Sequence, residues 1–183
     1  MTRPQALIVR ILREFRNPIH RTKLIKLAYL IDYAYYRNFG RPISGLRYMW
    51  DNYGPNAISN AIVSEAHLLV NDRVVHMTQG QSQYGGPNYR YALLDRDITA
   101  DFSPAEEYVI QQVLNEYKGM TMAQLVAASK KTKPFQEAQQ YDVLRMKKDT
   151  PAERGADTAE YEEALSARGT KTLRELKRKY NLR

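Results

Sequence analysis

Chemistry would first be sought at the histidines and at two acidic residues. His20, His67 and His76 are scattered along the chain, and only Glu65 falls near one of them. A zinc or iron centre needs clustered ligands at helical or turn spacing, with hydrogen-bonding groups behind them. This chain has no such grouping. It also has no cysteine, which excludes disulfides, thiolate metal sites and a cysteine nucleophile. Asp51, beside Trp50, and Glu65 on a following helix could in principle share acid–base work. A hydrogen-bonded cap or a surface ion pair is the commoner use of such residues. Gly80, Gly85 and Gly86 lie in a loop between two strands, not at a strand-to-helix turn where glycines cradle phosphate. There is no G-x-S-x-G elbow. The expectation is a protein with no catalytic residues, no cofactor and no metal.

The chain concentrates aromatic rings instead. It has 14 tyrosines and one tryptophan, most of them in the first half. Tyrosine and tryptophan offer large contact area with a polar tip and are favoured at protein interfaces. They also fill the edges of cores with the hydroxyl outward, and about half belong to that role. Leu46, Tyr48 and Trp50 alternate with Arg47, Met49 and Asp51, a period of two that predicts a strand within Ile43 to Asn52. Tyr48 and Trp50 then share one face. Tyr48, Trp50, Asp51 and Tyr53 are the candidate partner-binding residues, with the following helix, the glycine-rich loop and the C-terminal helix adding area.

The elements that must position these residues can be read in order. Pro4 opens a helix carrying Leu7, Ile8, Ile11, Leu12 and Phe15, which Asn17-Pro18 stops. Thr22 is the candidate cap of a second helix, apolar nearly all round and therefore central, ending at Gly40 with Pro42 beyond. A third helix is expected from Asn56 to Val70. Asp72 to Met77 and Tyr89 to Leu94 read as a β-hairpin around a loop too long for a tight turn. Ser103-Pro104-Ala105-Glu106 starts a fourth helix with a capping box, and a shorter helix begins at Thr121. The reading is a mostly helical α+β fold with a small antiparallel hairpin, in an order that approximates a winged helix-turn-helix. The division is a domain over 1–140 and a C-terminal extension over 141–183 with two short helices, Asp157 to Ala167 and Thr170 to Leu182.

The net charge is +8 and the pI about 9.6. Residues 1–40 carry +6 of it. Arg10, Arg13, Arg16 and Arg21 are therefore candidate nucleic-acid contacts, although a solvated basic face explains the same charge. The predicted third helix has no Lys or Arg, which counts against its docking in a major groove. No stretch has the length of apolar residues needed for a membrane span, and no signal-peptide core is visible at the N-terminus. A cytoplasmic protein with no membrane partner is expected.

Several of these features coincide in one known pattern. Lys26-Leu27-Ala28-Tyr29-Leu30, Gly40-Arg41-Pro42, Trp50 and Tyr53-Gly54-Pro55 together resemble the Panacea domain family of SocA-type antitoxins, which includes phage-associated GepA-like proteins. The resemblance spans about residues 5–135. It makes Lys26, Tyr29, Gly40, Pro42, Gly54 and Pro55 the structural motif. It also implies a bacterial or phage antitoxin that binds a cognate toxin, encoded next to it, by protein contact, and in one type delivers the toxin to a protease. The chain departs from the pattern at Ser129–Phe135, where lysine stands for the family's histidine and Phe135 for its tryptophan. That departure further weakens an enzymatic reading. The alternative remains a winged-helix-like DNA-binding transcriptional regulator, with autoregulation as one form of it.

Overall fold

Thr2 and Gln5 close a reciprocal capping box at the start of α1 (Arg3–Arg13), and Pro4 occupies the first turn, where its missing N–H costs nothing. The helix ends at Arg13, short of the Asn17-Pro18 stop. Arg96 secures that end: its guanidinium donates to the carbonyl of Arg13, the last helical residue, at 2.8 Å and to that of Phe15 just beyond at 2.7 Å. The computed structural model of the chain describes residues 1–81 and 86–150.

Next come β1 (Ile19–His20) and α2 (Arg21–Phe39). The cap of α2 is His20, not Thr22: its imidazole Nδ1 accepts the Thr22 N–H at 3.3 Å. The extended backbone of β1 carries through His20, so the helix starts directly after it and Thr22 already lies inside. Gly40 ends α2 in the left-handed conformation, φ 74°, as its sequence context predicts. Every residue from Leu24 to Asp32 is buried. This is the central helix, and it packs against α1, α3, α4 and α5.

The expected strand over Ile43–Asn52 shrinks to β2 (Tyr48–Met49). Ser44 gives both its N–H and its hydroxyl to the Asp32 carboxylate, so this part of the chain cannot join a ladder. β2 pairs with β3 (Asn56–Ala57), which the sequence pattern placed in the third helix. That helix, α3, is Ala61–Asn71. A 3₁₀ turn over Ile58–Asn60 precedes it, with Ser59 and Asn60 at φ 56° and 52°, a left-handed pair that delays the helix.

β4 (Val75–Gln81) and β5 (Pro87–Leu93) form the expected hairpin. β1 adds to β5, so the sheet order is β1-β5-β4. α1-β1-α2-α3-β4-β5 with this pairing is winged-helix connectivity, and β2 and β3 are an insertion in it. α4 (Pro104–Tyr117) and α5 (Met122–Lys130) both begin with capping boxes, Ser103 with Glu106 and Thr121 with Gln124. α6 (Lys133–Glu137) follows.

Beyond α6 the chain crosses back over the domain. The Trp50 N–H donates to the Asp142 carbonyl and the Leu144 N–H to the Tyr48 carbonyl, each at 2.8 Å. Val143 thus bridges Met49, Leu144 is buried, and Asp149 pairs with Arg37 at 2.6 Å. Packing therefore continues across position 140, where the sequence reading set its division. The two expected C-terminal helices and the tip of the hairpin lie outside the described residues.

Candidate functional site

One face of α2 holds the whole region around Trp50. Lys26, Tyr29 and Asp32 recur at three-residue spacing and so point the same way, and each grips a different segment. The Lys26 ammonium donates to the Pro55 carbonyl at 2.7 Å. The Tyr29 hydroxyl and the Thr132 Oγ1 lie 2.6 Å apart, joining α2 to the corner between α5 and α6. Asp32, fully buried, accepts from the Ser44 N–H at 2.9 Å, from the Ser44 hydroxyl, and from the Tyr48 hydroxyl at 2.6 Å. Burial pushes the Asp32 carboxyl up to about 6, against the pull of its Ser44 and Tyr48 hydrogen bonds. Burial likewise pushes the Lys26 ammonium down to about 8, partly offset by the Asp51 carboxylate. Burial, with the Asp32 charge beside it, raises the Tyr48 phenol.

The segment these residues hold is a tight turn. Asp51 accepts the Tyr53 N–H on its side chain at 2.9 Å and the Gly54 N–H on its carbonyl at 2.8 Å. Gly54 has φ 86°, and a Cβ there would sit 2.8 Å from the Ser129 hydroxyl. Only glycine meets both conditions. Lys130 donates to the Asn52 carbonyl at 2.7 Å, so a lysine from α2 and another from α5 clamp the turn. The motif residues have direct structural duties: Lys26 and Pro55 share one bond, Tyr29 anchors a corner, Gly40 caps α2, and Gly54 makes the turn fit. Pro42 is half-buried just beyond Gly40.

The turn carries an aromatic ledge. Trp50 is half-buried and stacks on Phe135, centroids 5.2 Å apart and 14° from parallel; Tyr141 meets it edge-on at 6.3 Å. Tyr53 projects from the clamped turn at 74 % exposure, and Tyr141 is 60 % exposed. A groove of about 560 Å³ opens beside the ledge, between α6 and the returning chain, lined in part by Pro134, Glu137, Val143 and Arg145.

Tyr48 does not belong to this ledge. It is 1 % exposed, its ring packs edge-on against Tyr29 at 5.1 Å, and its hydroxyl is committed to Asp32. The expectation of Tyr48 and Trp50 on one presented face fails because β2 ends at Met49. Trp50, Asp51 and Tyr53 do come together. Asp51 spends its carboxylate on the turn and on the field at Lys26, and Glu65 takes a bond from Thr2 at 3.2 Å; no contact joins the two carboxylates. Sequence reasoning misses Phe135 and Tyr141 as partners of Trp50, because they stand 85 and 91 residues away. The phenylalanine at the family's tryptophan position is the available signal for Phe135.

The proposed nucleic-acid arginines divide. Arg10 is committed: its guanidinium binds Glu107 at 2.7 Å, Gln111 at 2.6 Å and Glu14 at 3.4 Å. It is tied to α4 and is not available to a phosphate. Arg21 lies over the Tyr89 ring, 5.4 Å from its centroid. Arg13 and Arg16 are exposed. Among the described residues no cluster of three or more His, Cys, Asp or Glu is placed to hold a metal ion, and no helix is long and apolar enough to cross a membrane.

Fold and site together define a small α+β domain of winged-helix connectivity that displays aromatic rings on a clamped turn. The chain belongs to the antitoxin SocA-like, Panacea domain family, whose profile matches residues 24–136, from the start of α2 into α6. No curated protein and no solved structure matches the chain.

Proposed function

We propose that this protein is an antitoxin that binds a cognate protein toxin and neutralises it by direct contact, acting as a binder and not as an enzyme. The carrying observation is Tyr53, 74 % exposed on a turn fixed from two helices. An exposed aromatic ring on a fixed backbone turn spares the backbone part of the ordering cost on binding. Trp50, Phe135 and Tyr141 extend the same surface. Family membership supports a toxin as the partner class. The toxin's gene is expected next to this one, in a bacterial or phage genome, and both products are expected to meet in the cytoplasm; delivery of the toxin to a protease is a compatible further role. Expression of the adjacent gene alone and together with this one is the test. Toxicity relieved by co-expression, with the two products co-purifying, supports the reading. A harmless neighbour that does not co-purify removes it.

DNA binding is the second reading, favoured by the β1–β5 pairing that completes the winged-helix connectivity. Against it, α3 reads AIVSEAHLLVN, with no Lys or Arg for guanine or phosphate, and Arg10 is committed to α4. A gel shift on the gene's own promoter over a salt series separates the readings. No shift at low salt removes DNA binding, since phosphate contacts are strongest there.

A further inference from the structure

The ledge leaves a second concave surface without a role. A groove of about 380 Å³ lies where the α1–β1 turn, β1, β5 and the α4–α5 turn meet, and no acidic residue lines it. Phe15, Ile19, Met120 and Met122 supply an apolar floor, and Met122 remains 39 % exposed. Arg16 and Arg90 stand exposed on its rim.

These two arginines differ from others nearby. Arg3 pairs with Glu106, Arg10 with Glu107 and Arg37 with Asp149, and Arg96 is spent on two carbonyls. The side chains of Arg16 and Arg90 make no hydrogen bond or ion pair among the described residues, although the Arg90 charge bears on His20 beside it. Lys23, also in the groove, is committed: its ammonium donates to the carbonyls of Lys118 and Met120 at 2.7 and 3.0 Å and covers one face of Phe15. Two exposed guanidinium groups therefore stand at the groove's edge with no side-chain partner among the described residues.

We propose that this groove docks an acidic peptide segment of a partner protein, with one apolar side chain on the Phe15–Ile19–Met122 floor and carboxylates on Arg16 and Arg90. Arginine matches a carboxylate with two parallel N–H donors, and a complementary rim around an apolar pocket gives both steering and anchorage. The apolar floor favours a peptide over nucleic acid. Phosphates need only cations, and Lys23 blocks a face of Phe15 on which a base would stack. The groove shares no residue with the Trp50 ledge, so this inference stands apart from neutralisation by that surface.

The test is fluorescence anisotropy with the full chain and short labelled peptides, each with carboxylates flanking a central leucine, phenylalanine or methionine. Controls carry serine at the centre, and a short DNA duplex is titrated in parallel. Arg16→Ser and Arg90→Ser alter exposed side chains, and thermal melts check that they fold. The expected result is salt-sensitive binding that weakens about tenfold or more in each variant and falls similarly with central serine. Unchanged affinity in the variants, equal affinity for serine-centred peptides, or no peptide binding at millimolar concentration overturns the proposal. Arginine-dependent duplex binding in place of peptide binding overturns it in favour of nucleic acid. Tighter peptide binding when Asp157, Glu160, Glu162 and Glu163 are changed to the amides in the full chain makes the protein's own acidic segment the occupant, which also overturns it.

Discussion

The Lys26 ammonium, on a side chain buried in the middle of α2, lies 2.7 Å from the carbonyl oxygen of Pro55. This bond joins the central helix to the turn that displays Tyr53. A buried cation with few partners is costly, so it persists where the geometry compensates. Here the compensation comes from Pro55 and the field of Asp51. Lys26→Met keeps the bulk and removes both the charge and the donor. It relieves the ammonium's desolvation but strands the Pro55 carbonyl. The two effects oppose each other at similar size, about 3 kcal/mol of relief against about 1–3 kcal/mol for the stranded carbonyl, so urea unfolding near pH 7 should change by no more than about 2 kcal/mol while the turn loosens. Proton–deuterium exchange at the Gly54 amide should rise in the variant.

Stability should depend on pH through two buried groups of α2. Asp32 titrates near 6 when folded against 3.8 unfolded. The native state holds the extra proton between these values, so stability is highest below about 4 and falls as pH rises through 6. Lys26 titrates near 8 folded against 10.5 unfolded. There the unfolded state holds more protons, so stability rises with pH from about 8 to 10.5. Each of these displacements is worth about 3 kcal/mol. Urea midpoints across pH for the wild type, Asp32→Asn and Lys26→Met check this. Each variant should lose its own slope and keep the other.

Gly54→Ala should cost about 2 kcal/mol or more, combining a left-handed backbone with a contact 2.8 Å from the Ser129 hydroxyl. Adding Ser129→Ala removes the clash but not the backbone strain. The double variant should therefore recover only part of the loss in chemical denaturation. Full recovery would show that crowding alone fixes this glycine.

Much of this architecture is legible in the sequence because it is local. The capping box at Ser103, the glycine ending α2 and the central helix all follow from residues within a few positions of one another. The turn at Tyr53-Gly54-Pro55 is visible for the same reason. The two-residue β1 carries too little pattern to read; its partner Tyr91 stands 72 residues on. Tyr48 is misplaced by the pattern because period two assigns faces only while a strand lasts, and a buried aspartate sixteen residues earlier claims its hydroxyl. Charge counting likewise does not show that Arg10 is committed to a helix nearly a hundred residues away.

Trp50 is the only tryptophan, so its fluorescence reports on the ledge. Phe135→Ala removes its stacking partner. The emission should shift to the red, with a stability loss of about 3 kcal/mol for a buried phenylalanine. Trp50→Ala should cost less, because the ring is half-buried.

Under the proposed function, the clamped turn presents Tyr53 to a toxin. The direct measurement is the affinity of Tyr53→Ala for the proposed cognate toxin, by calorimetry, beside its melting temperature. The expected result is an unchanged melting temperature, since the ring is 74 % exposed, and binding weakened by about tenfold or more, as at an interface hot spot. Wild-type affinity with the same fold would contradict it and move the toxin to another surface.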